Sequence, residues 1–244
     1  MKNSIYWLKR IRYLLGKGQF IDSVAQHRRA KRIAPPDTLL PKIEINQLTD
    51  TSEPKLTEEV HNDGNVSLEE LRCIAKLVKY YQPKNIFEIG TFDGRTTLNM
   101  ALNAPNSIIH TLDLPKSEVH STAFRIKKGD VKFIDKPASG LRFNDTQYAT
   151  NIRQIYADSA KYDYSELNNT MDLVFVDGAH TYDYVVNDTE NAKKLLRNDK
   201  GIIIWHDYSW KEVVQALNEY YQNDDYFFNM KHIAGTTLVV LERS

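Results

Sequence analysis

Apolar runs alternate with helical patterns from residue 67 to the end of the chain. Five short runs with little internal alternation predict strands that are covered on both faces, at 85–89, 107–113, 152–157, 172–177 and 201–206. Helical spacing of apolar positions predicts helices at 94–103, 181–197 and 209–222. This succession predicts an α/β fold with a doubly wound, mostly parallel sheet.

Two further apolar runs, 226–233 and 236–242, complete a predicted sheet of seven strands. Only Ala234 and Gly235 join them, and a parallel pair needs a dozen or more connecting residues. The runs must therefore form an antiparallel C-terminal hairpin.

The folded domain is predicted to span residues 60–244, with its first helix opening at Ser67. Ser67 and Glu70 have the spacing of a capping box ahead of an apolar helical pattern. Residues 33–59 carry four prolines among polar residues and are interpreted as a linker.

Residues 1–32 predict a basic amphipathic helix, in which Trp7, Leu8 and Ile11 share one face with Leu14 and Leu15. Such a helix could pack on its own domain, dock on a second subunit in a homo-oligomer, or lie on an anionic membrane surface. No run of eighteen apolar residues and no signal peptide is recognisable, so we expect a cytoplasmic protein with peripheral contact at the inner membrane surface as an open alternative.

Charge and cysteine content narrow the function further. The 244 residues carry no formal net charge, but residues 1–32 hold nine basic residues and one acid, which leaves 23 basic and 31 acidic residues elsewhere. This acidic remainder argues against a nucleic-acid partner. The single cysteine, Cys73, excludes an internal disulfide and a cysteine-based zinc cluster.

The most informative stretch is NIFEIGTFDGRTT, residues 85–97. A predicted strand containing Glu88 turns through Gly90 and Gly94 into a helix, which is typical of a nucleotide-binding turn because glycine allows positive φ and a helix start offers free N–H groups. The stretch lacks the G-x-G-x-x-G spacing of dinucleotide sites, which argues against NAD.

Together with HTLDLP, YADS, DLVFVDGAH and IIIWHDY, this stretch resembles the class I S-adenosylmethionine-dependent methyltransferases. The likeness is greatest to metal-dependent O-methyltransferases, in particular bacterial enzymes that modify sugars and macrolides. It covers residues 85–210, and it implies a Rossmann-like sheet that binds its ligands at the carboxyl ends of the strands.

The resemblance implies a cofactor site for S-adenosylmethionine. Glu88 would lie near the ammonium group of the cofactor, Asp113 would accept hydrogen bonds from both ribose hydroxyls, and Asp158 would lie near the adenine. The remaining residues of the implied site are Gly90, Thr91, Gly94, Thr96 and Ser159. Asp113 and Asp158 could instead be helix caps or turn residues.

A divalent cation is implied at the ends of the fourth and fifth predicted strands. Asp177 and Asp207 would converge there, and like charges this close repel unless a cation lies between them. His206 is the third implied ligand, although it could instead orient Asp207. Carboxylates favour Mg²⁺, whereas an imidazole shifts the preference toward Mn²⁺, so the sequence does not decide the identity of the metal.

His180 follows Asp177 by three residues, the separation at which relatives place the proton acceptor. An imidazole suits this role because its ordinary pKa is near 6.5. Capping of the next helix and a hydrogen bond to substrate are the competing interpretations.

About forty residues separate Asp113 from the next strand, more than a helix and two loops require. We interpret residues 115–150 as a lid-like insertion, whose basic residues would suit an acidic acceptor or simply be solvated. The expected activity is metal-assisted O-methylation of a small polyhydroxylated acceptor such as a sugar or glycolipid. The alternatives are a metal-independent methyltransferase, a relative of the cephalosporin hydroxylase-like proteins, and a non-catalytic cofactor-binding module targeted by its N-terminal helix.

Overall fold

A computed structural model describes residues 37–50 and 52–244. The helix predicted within residues 1–32 lies outside this range. None of the described helices combines the length and the apolar character needed to cross a bilayer.

Eight strands of the described residues form one mixed sheet in the order β1-β7-β8-β6-β5-β2-β3-β4. Neighbours are parallel except for the pairs β6/β8 and β7/β8. The strands are β1 (Lys42–Ile43), β2 (Asn85–Ile89), β3 (Ile108–Asp113), β4 (Ile152–Tyr156), β5 (Leu173–Val176), β6 (Gly201–Trp205), β7 (Lys231–Ile233) and β8 (Val239–Arg243).

Helices cover both faces of the sheet. Successive residues of β5 point to opposite sides, so Leu173 and Phe175 join one apolar core while Val174 and Val176 join the other. The first core contains α2 and α3, and the second contains α5 and α6. The helices are α1 (Ile45–Leu48), α2 (Leu68–Tyr81), α3 (Arg95–Asn103), α4 (Val131–Ile134), α5 (Tyr182–Leu195) and α6 (Lys211–Asn223).

This architecture confirms the predicted α/β class, the mostly parallel sheet and the antiparallel C-terminal hairpin. The predicted capping box is also present, because the Ser67 hydroxyl accepts from the Glu70 amide and the Glu70 carboxylate accepts from the Ser67 amide. Cys73 is buried in the core around α2.

The eighth strand is the main difference from the predicted seven. It lies in the segment interpreted as a linker, where Lys42 and Ile43 pair with His232 and Ile233 of β7. Leu40 is buried beside it, and the hydroxyl of Tyr208 accepts hydrogen bonds from the Leu39 and Leu40 amides. The part of this segment around β1 is therefore built into the domain.

Candidate active site

A cavity of about 290 Å³ opens at the carboxyl ends of the parallel strands. Its volume is near the lower end of the range of roughly 300–1,000 Å³ that is usual for small-molecule sites. Ten of the twelve residues implied by the sequence line it, namely Gly90, Thr91, Thr96, Asp113, Asp158, Ser159, Asp177, His180, His206 and Asp207. Glu88 and Gly94 do not.

Glu88 lies behind the cavity wall with no exposed surface. The hydroxyls of Thr97 and Thr111 both donate to its Oε2 at 2.5 Å, and its Oε1 has no hydrogen-bond partner among the described residues. Burial raises the pKa of Glu88 to about 8. The Glu88 carboxylate thus lies beneath the site, whereas the family resemblance implied a position near the ammonium group of the cofactor.

The two glycines of the turn are required by neighbouring protein atoms. Gly90 has φ +99°, and a Cβ there would lie 2.0 Å from the carbonyl oxygen of Asp177. Gly94 has φ +87°, and its Cβ would lie 2.7 Å from the Phe143 ring and 2.8 Å from Gly140. Their bare backbones let the β2 turn pack against β5 and against the insertion, and Gly90 also lines the cavity.

Asp113, the implied ribose ligand, ends β3 at the cavity and is engaged by the insertion. Its Oδ2 lies 2.6 Å from Lys136 Nζ and also accepts a hydrogen bond from the Ser139 hydroxyl. The carboxylate has a second oxygen and further lone pairs, so it keeps capacity to bind hydroxyl groups in the cavity.

The Asp158 carboxylate accepts hydrogen bonds from three protein groups. Its Oδ1 accepts from the Tyr184 hydroxyl and the Ala160 amide, both at 2.9 Å, and its Oδ2 accepts from the Ala123 amide at 2.7 Å. Asp158 therefore fastens the insertion to the sheet, and both Asp158 and Ser159 line the cavity.

Asp177, His206 and Asp207 offer ligand atoms that all lie within 4.8 Å of one another. His206 Nδ1 is 2.9 Å from Asp177 Oδ1 and 3.2 Å from Asp207 Oδ2. Asp207 follows β6 in the left-handed region, with φ 63°, which Asp tolerates better than most residues. Two carboxylates and one imidazole nitrogen at this spacing fit a divalent cation.

The negative charge of the same cluster is also balanced by a proton on His206. Burial would lower the pKa of His206, but the charge and hydrogen bond of Asp177, with hydrogen bonds to Asp207 and Glu70, raise it well above its usual value. His206 Nε2 lies 3.2 Å from Glu70 Oε2. A protonated imidazole can thus occupy the place between the carboxylates that a cation would otherwise take.

His180 is held from three sides. Its Nε2 is 2.5 Å from Asp207 Oδ2, its Nδ1 is 3.0 Å from Asp130 Oδ1, and its ring stacks on Trp210 with centroids 4.7 Å apart. Burial opposes charge on the imidazole, but hydrogen bonds to both carboxylates outweigh it and raise the pKa of His180 to about 9.

Two residues of the site were missed in the sequence. Asp130 lies in the insertion, 50 positions before His180, so no local spacing connects them. Arg95 is almost fully buried and donates to the carbonyls of Glu58, Glu59 and Val66, which holds the segment before α2 against the cavity. The sequence feature that could have revealed Arg95 is a positive charge in the first turn of a predicted helix, where the helix dipole disfavours it.

Several basic residues of the insertion pair with other parts of the domain. Lys127 donates to the His180 carbonyl and lies 3.6 Å from Glu212, and Lys136 pairs with Asp113. Three more ion pairs join Lys132 to Asp63, Arg142 to Asp93 and Arg142 to Glu58. The positive charge of the insertion thus fastens it to the domain, so it is no longer an argument for an acidic acceptor.

A known family matches the middle of the chain. The family model described as "Methyltransferase domain" matches residues 87–208, half of the chain. No curated protein matches the chain in sequence.

Solved structures share the fold at low sequence identity. The S-adenosylhomocysteine-bound methyltransferase PaMTH1 of Podospora anserina is 17% identical, with a TM-score of 0.52 over 75% of this chain and 81% of its own. A second structure is the O-methyltransferase TomG of Streptomyces achromogenes, which is involved in tomaymycin synthesis and was solved with S-adenosylmethionine. It is 16% identical, with a TM-score of 0.50 over 75% of this chain and 83% of its own. The O-methyltransferase of Bacillus cereus in complex with S-adenosylhomocysteine is 16% identical, with a TM-score of 0.50 over 75% of this chain and 84% of its own.

Proposed function

Because the chain belongs to the methyltransferase-domain family, we propose that it transfers a methyl group from S-adenosylmethionine to a hydroxyl oxygen of a small polyhydroxylated acceptor such as a sugar. A divalent cation, Mg²⁺ or Mn²⁺, would be held by Asp177, His206 and Asp207. The observation that carries the proposal is that this cluster and His180 line the same cavity as Gly90 and Asp113.

The cofactor half of the proposal is supported by the position of the cavity at the strand ends, above the Gly90 turn. Asp113 offers a carboxylate for ribose hydroxyls there. Solved relatives with the same fold contain S-adenosylmethionine or S-adenosylhomocysteine.

His180 is assigned as the proton acceptor. The acceptor oxygen would form a bond to the methyl carbon while the bond from that carbon to the cofactor sulfur breaks, and the hydroxyl proton would pass to His180 Nε2. Asp130 fixes the other nitrogen, Nδ1, and Trp210 fixes the ring plane.

The bound cation would polarise the acceptor hydroxyl and lower its pKa. Its ligand Asp207 is also the carboxylate that lies against His180 Nε2. When Asp207 binds the cation, His180 Nε2 would lose this partner, the pKa of His180 would fall from its raised value, and Nε2 could then accept the proton.

A metal-independent methyltransferase is the second candidate. It is favoured by the two imidazoles, which balance the acidic residues of the cluster without a metal ion. The acceptor hydroxyl would then be deprotonated by His180 in the fraction of molecules in which its imidazole is neutral.

The test is incubation of the full chain with methyl-labelled S-adenosylmethionine and an extract of the source cells, followed by mass identification of the labelled product. We expect label on a hydroxyl oxygen, loss of labelling with EDTA, and recovery with Mg²⁺ or Mn²⁺. Labelling that persists in EDTA would favour the metal-independent candidate. Absence of labelling by wild type under every condition, with no binding of S-adenosylhomocysteine, would contradict both.

A further inference from the structure

Glu70 is a buried carboxylate that connects three distant parts of the chain. It lies in the first turn of α2, and only 6% of its surface is exposed. Its Oε1 accepts from the Thr237 amide at 2.8 Å and from the Thr237 hydroxyl at 2.7 Å, in the loop between β7 and β8. Its Oε2 accepts from the Ser67 amide at 2.9 Å and lies 3.2 Å from His206 Nε2, at the end of β6.

These contacts exceed what a helix cap requires. Of the bonds to the Glu70 side chain, a capping box needs only the one from the Ser67 amide. The adjacent Glu69 shows the ordinary state of a first-turn acid, because its side chain is 56% exposed and pairs with Arg72. Glu70 is instead turned inward, where a histidine is its only ionisable hydrogen-bond partner among the described residues.

The pairing decides which nitrogen of His206 faces the acidic cluster. An ionised carboxylate only accepts hydrogen bonds, so Nε2 must carry the proton in the bond to Glu70. His206 Nδ1 then faces Asp177 and Asp207, at 2.9 and 3.2 Å. Without a metal Nδ1 donates a proton to these carboxylates, and a bound cation would take the place of that proton. A metal-binding histidine usually has this arrangement, with its second nitrogen donating to a carboxylate that fixes the tautomer and the ring orientation.

We propose that Glu70 is a positioning residue for the cation site: it holds His206 with the proton on Nε2, so that Nδ1 is available as the metal ligand. The inference rests on the metal assistance put forward as part of the proposed function. It assigns to the capping-box glutamate a role that is separate from the start of the helix.

The test uses Mn²⁺ alone, so it needs neither acceptor nor cofactor. The dissociation constant for Mn²⁺ is measured by electron paramagnetic resonance and by calorimetry on the full chain. Glu70→Gln keeps the size and a hydrogen-bond acceptor but removes the charge, and we expect it to weaken Mn²⁺ binding about 10- to 100-fold, the usual effect of losing such a partner.

Three comparison variants separate the role from folding and from the cap. Glu69→Gln changes the neighbouring exposed acid, and Ser67→Ala removes the hydroxyl half of the cap while leaving the Ser67 amide to Glu70. Both should bind Mn²⁺ as wild type does. Asp207→Asn should abolish binding, and circular dichroism with thermal melting confirms that each variant folds. If Glu70→Gln does not fold, Glu70→Asp, which retracts the carboxylate from His206, should show the same weakening.

The outcomes distinguish the role of Glu70 from the metal assistance itself. Wild-type affinity in both Glu70 variants, with binding lost in Asp207→Asn, would overturn the role of Glu70 and leave the metal assistance standing. Absence of Mn²⁺ binding by wild type would overturn the metal assistance and this role together. A loss in Ser67→Ala equal to that in Glu70→Gln would assign the effect to the helix start and overturn the role of Glu70.

Discussion

His180 Nε2 and Asp207 Oδ2 lie 2.5 Å apart, so the residue assigned as proton acceptor directly contacts a residue assigned as metal ligand. Asp207 also lies 3.2 Å from His206 Nδ1. One carboxylate is thus shared between the group that would take the proton and the group that would help to hold the cation. The two functions cannot be changed independently through Asp207, but they can be separated through His180.

Replacement His180→Gln should lower the rate of methyl transfer by about 10²- to 10⁴-fold, the usual contribution of a general base. It should leave the affinity for S-adenosylhomocysteine within about twofold of wild type, because Asp113 and the Gly90 turn are unchanged. The rate is measured as incorporation of label from methyl-labelled S-adenosylmethionine, and the affinity by calorimetry. His120→Gln, an exposed change in the insertion, is the matched control. Equal rates in the two variants would remove His180 from the mechanism.

Asp113→Asn should weaken binding of S-adenosylhomocysteine by roughly tenfold or more. A hydrogen bond to a charged group contributes about 1.5–3 kcal/mol, and the amide keeps only one acceptor oxygen. Calorimetric titration measures the change. Asp135→Asn serves as control, because Asp135 is an exposed carboxylate of the same insertion that pairs with Lys116. Unchanged affinity in Asp113→Asn would place the ribose elsewhere.

Gly90→Ala should destabilise the fold by about 3 kcal/mol or more, since it combines a backbone strained for an L residue with overpacking. The added Cβ would lie 2.0 Å from the carbonyl oxygen of Asp177, so β2 and β5 would have to separate. Urea unfolding gives the free energy. Gly129→Ala is the control, because a Cβ there meets nothing within 4 Å. If both variants were equally stable, the close approach at Gly90 would be disproved.

The stability of the protein should depend on pH through Glu88. Burial raises the pKa of this carboxyl to about 8 in the folded state, from an ordinary value of 4.5. The folded state therefore binds the proton more tightly, and this contribution to stability falls as the pH rises from about 4.5 to about 8, by about 1.4 kcal/mol per unit at most.

Glu88→Gln removes this dependence. Relative to wild type, the variant should gain stability steadily between pH 5 and pH 8 and show no further relative gain above about pH 8. Urea unfolding of both proteins across this range, in EDTA, measures the difference. A constant difference would show that Glu88 is ionised in the folded protein at neutral pH.

The repetitive parts of the fold could be predicted from the sequence. Buried parallel strands read as unbroken apolar runs, so β2, β5 and β6 were located to within one residue at each end, and the Ser67 cap marked the start of α2. Strand β1 could not be found in this way, because two residues, Lys42 and Ile43, carry no periodicity. Its position depends on an edge that exists only after β7 has joined the sheet.

The same limit applies to the candidate site: residues at strand ends could be predicted, but pairings between residues distant in sequence could not. Residues at strand ends, such as Asp113 and Asp177, were found because the end of an apolar run is visible in the sequence. Glu70 was recognised only as a helix cap and Asp130 was not recognised, because their partners His206 and His180 are 136 and 50 positions away. Pairings of this kind are decided by how the insertion and α2 pack, which no local pattern records.

Strand β1 has a practical consequence for anyone who trims this protein. A shortened chain beginning at residue 60 would leave the outer side of β7 with unsatisfied amide and carbonyl groups, and would remove the Leu40 side chain from beside Tyr208. Bare sheet edges recruit strands from other molecules. Such a fragment should accumulate as insoluble material during expression, whereas one that begins at residue 37 should stay in solution.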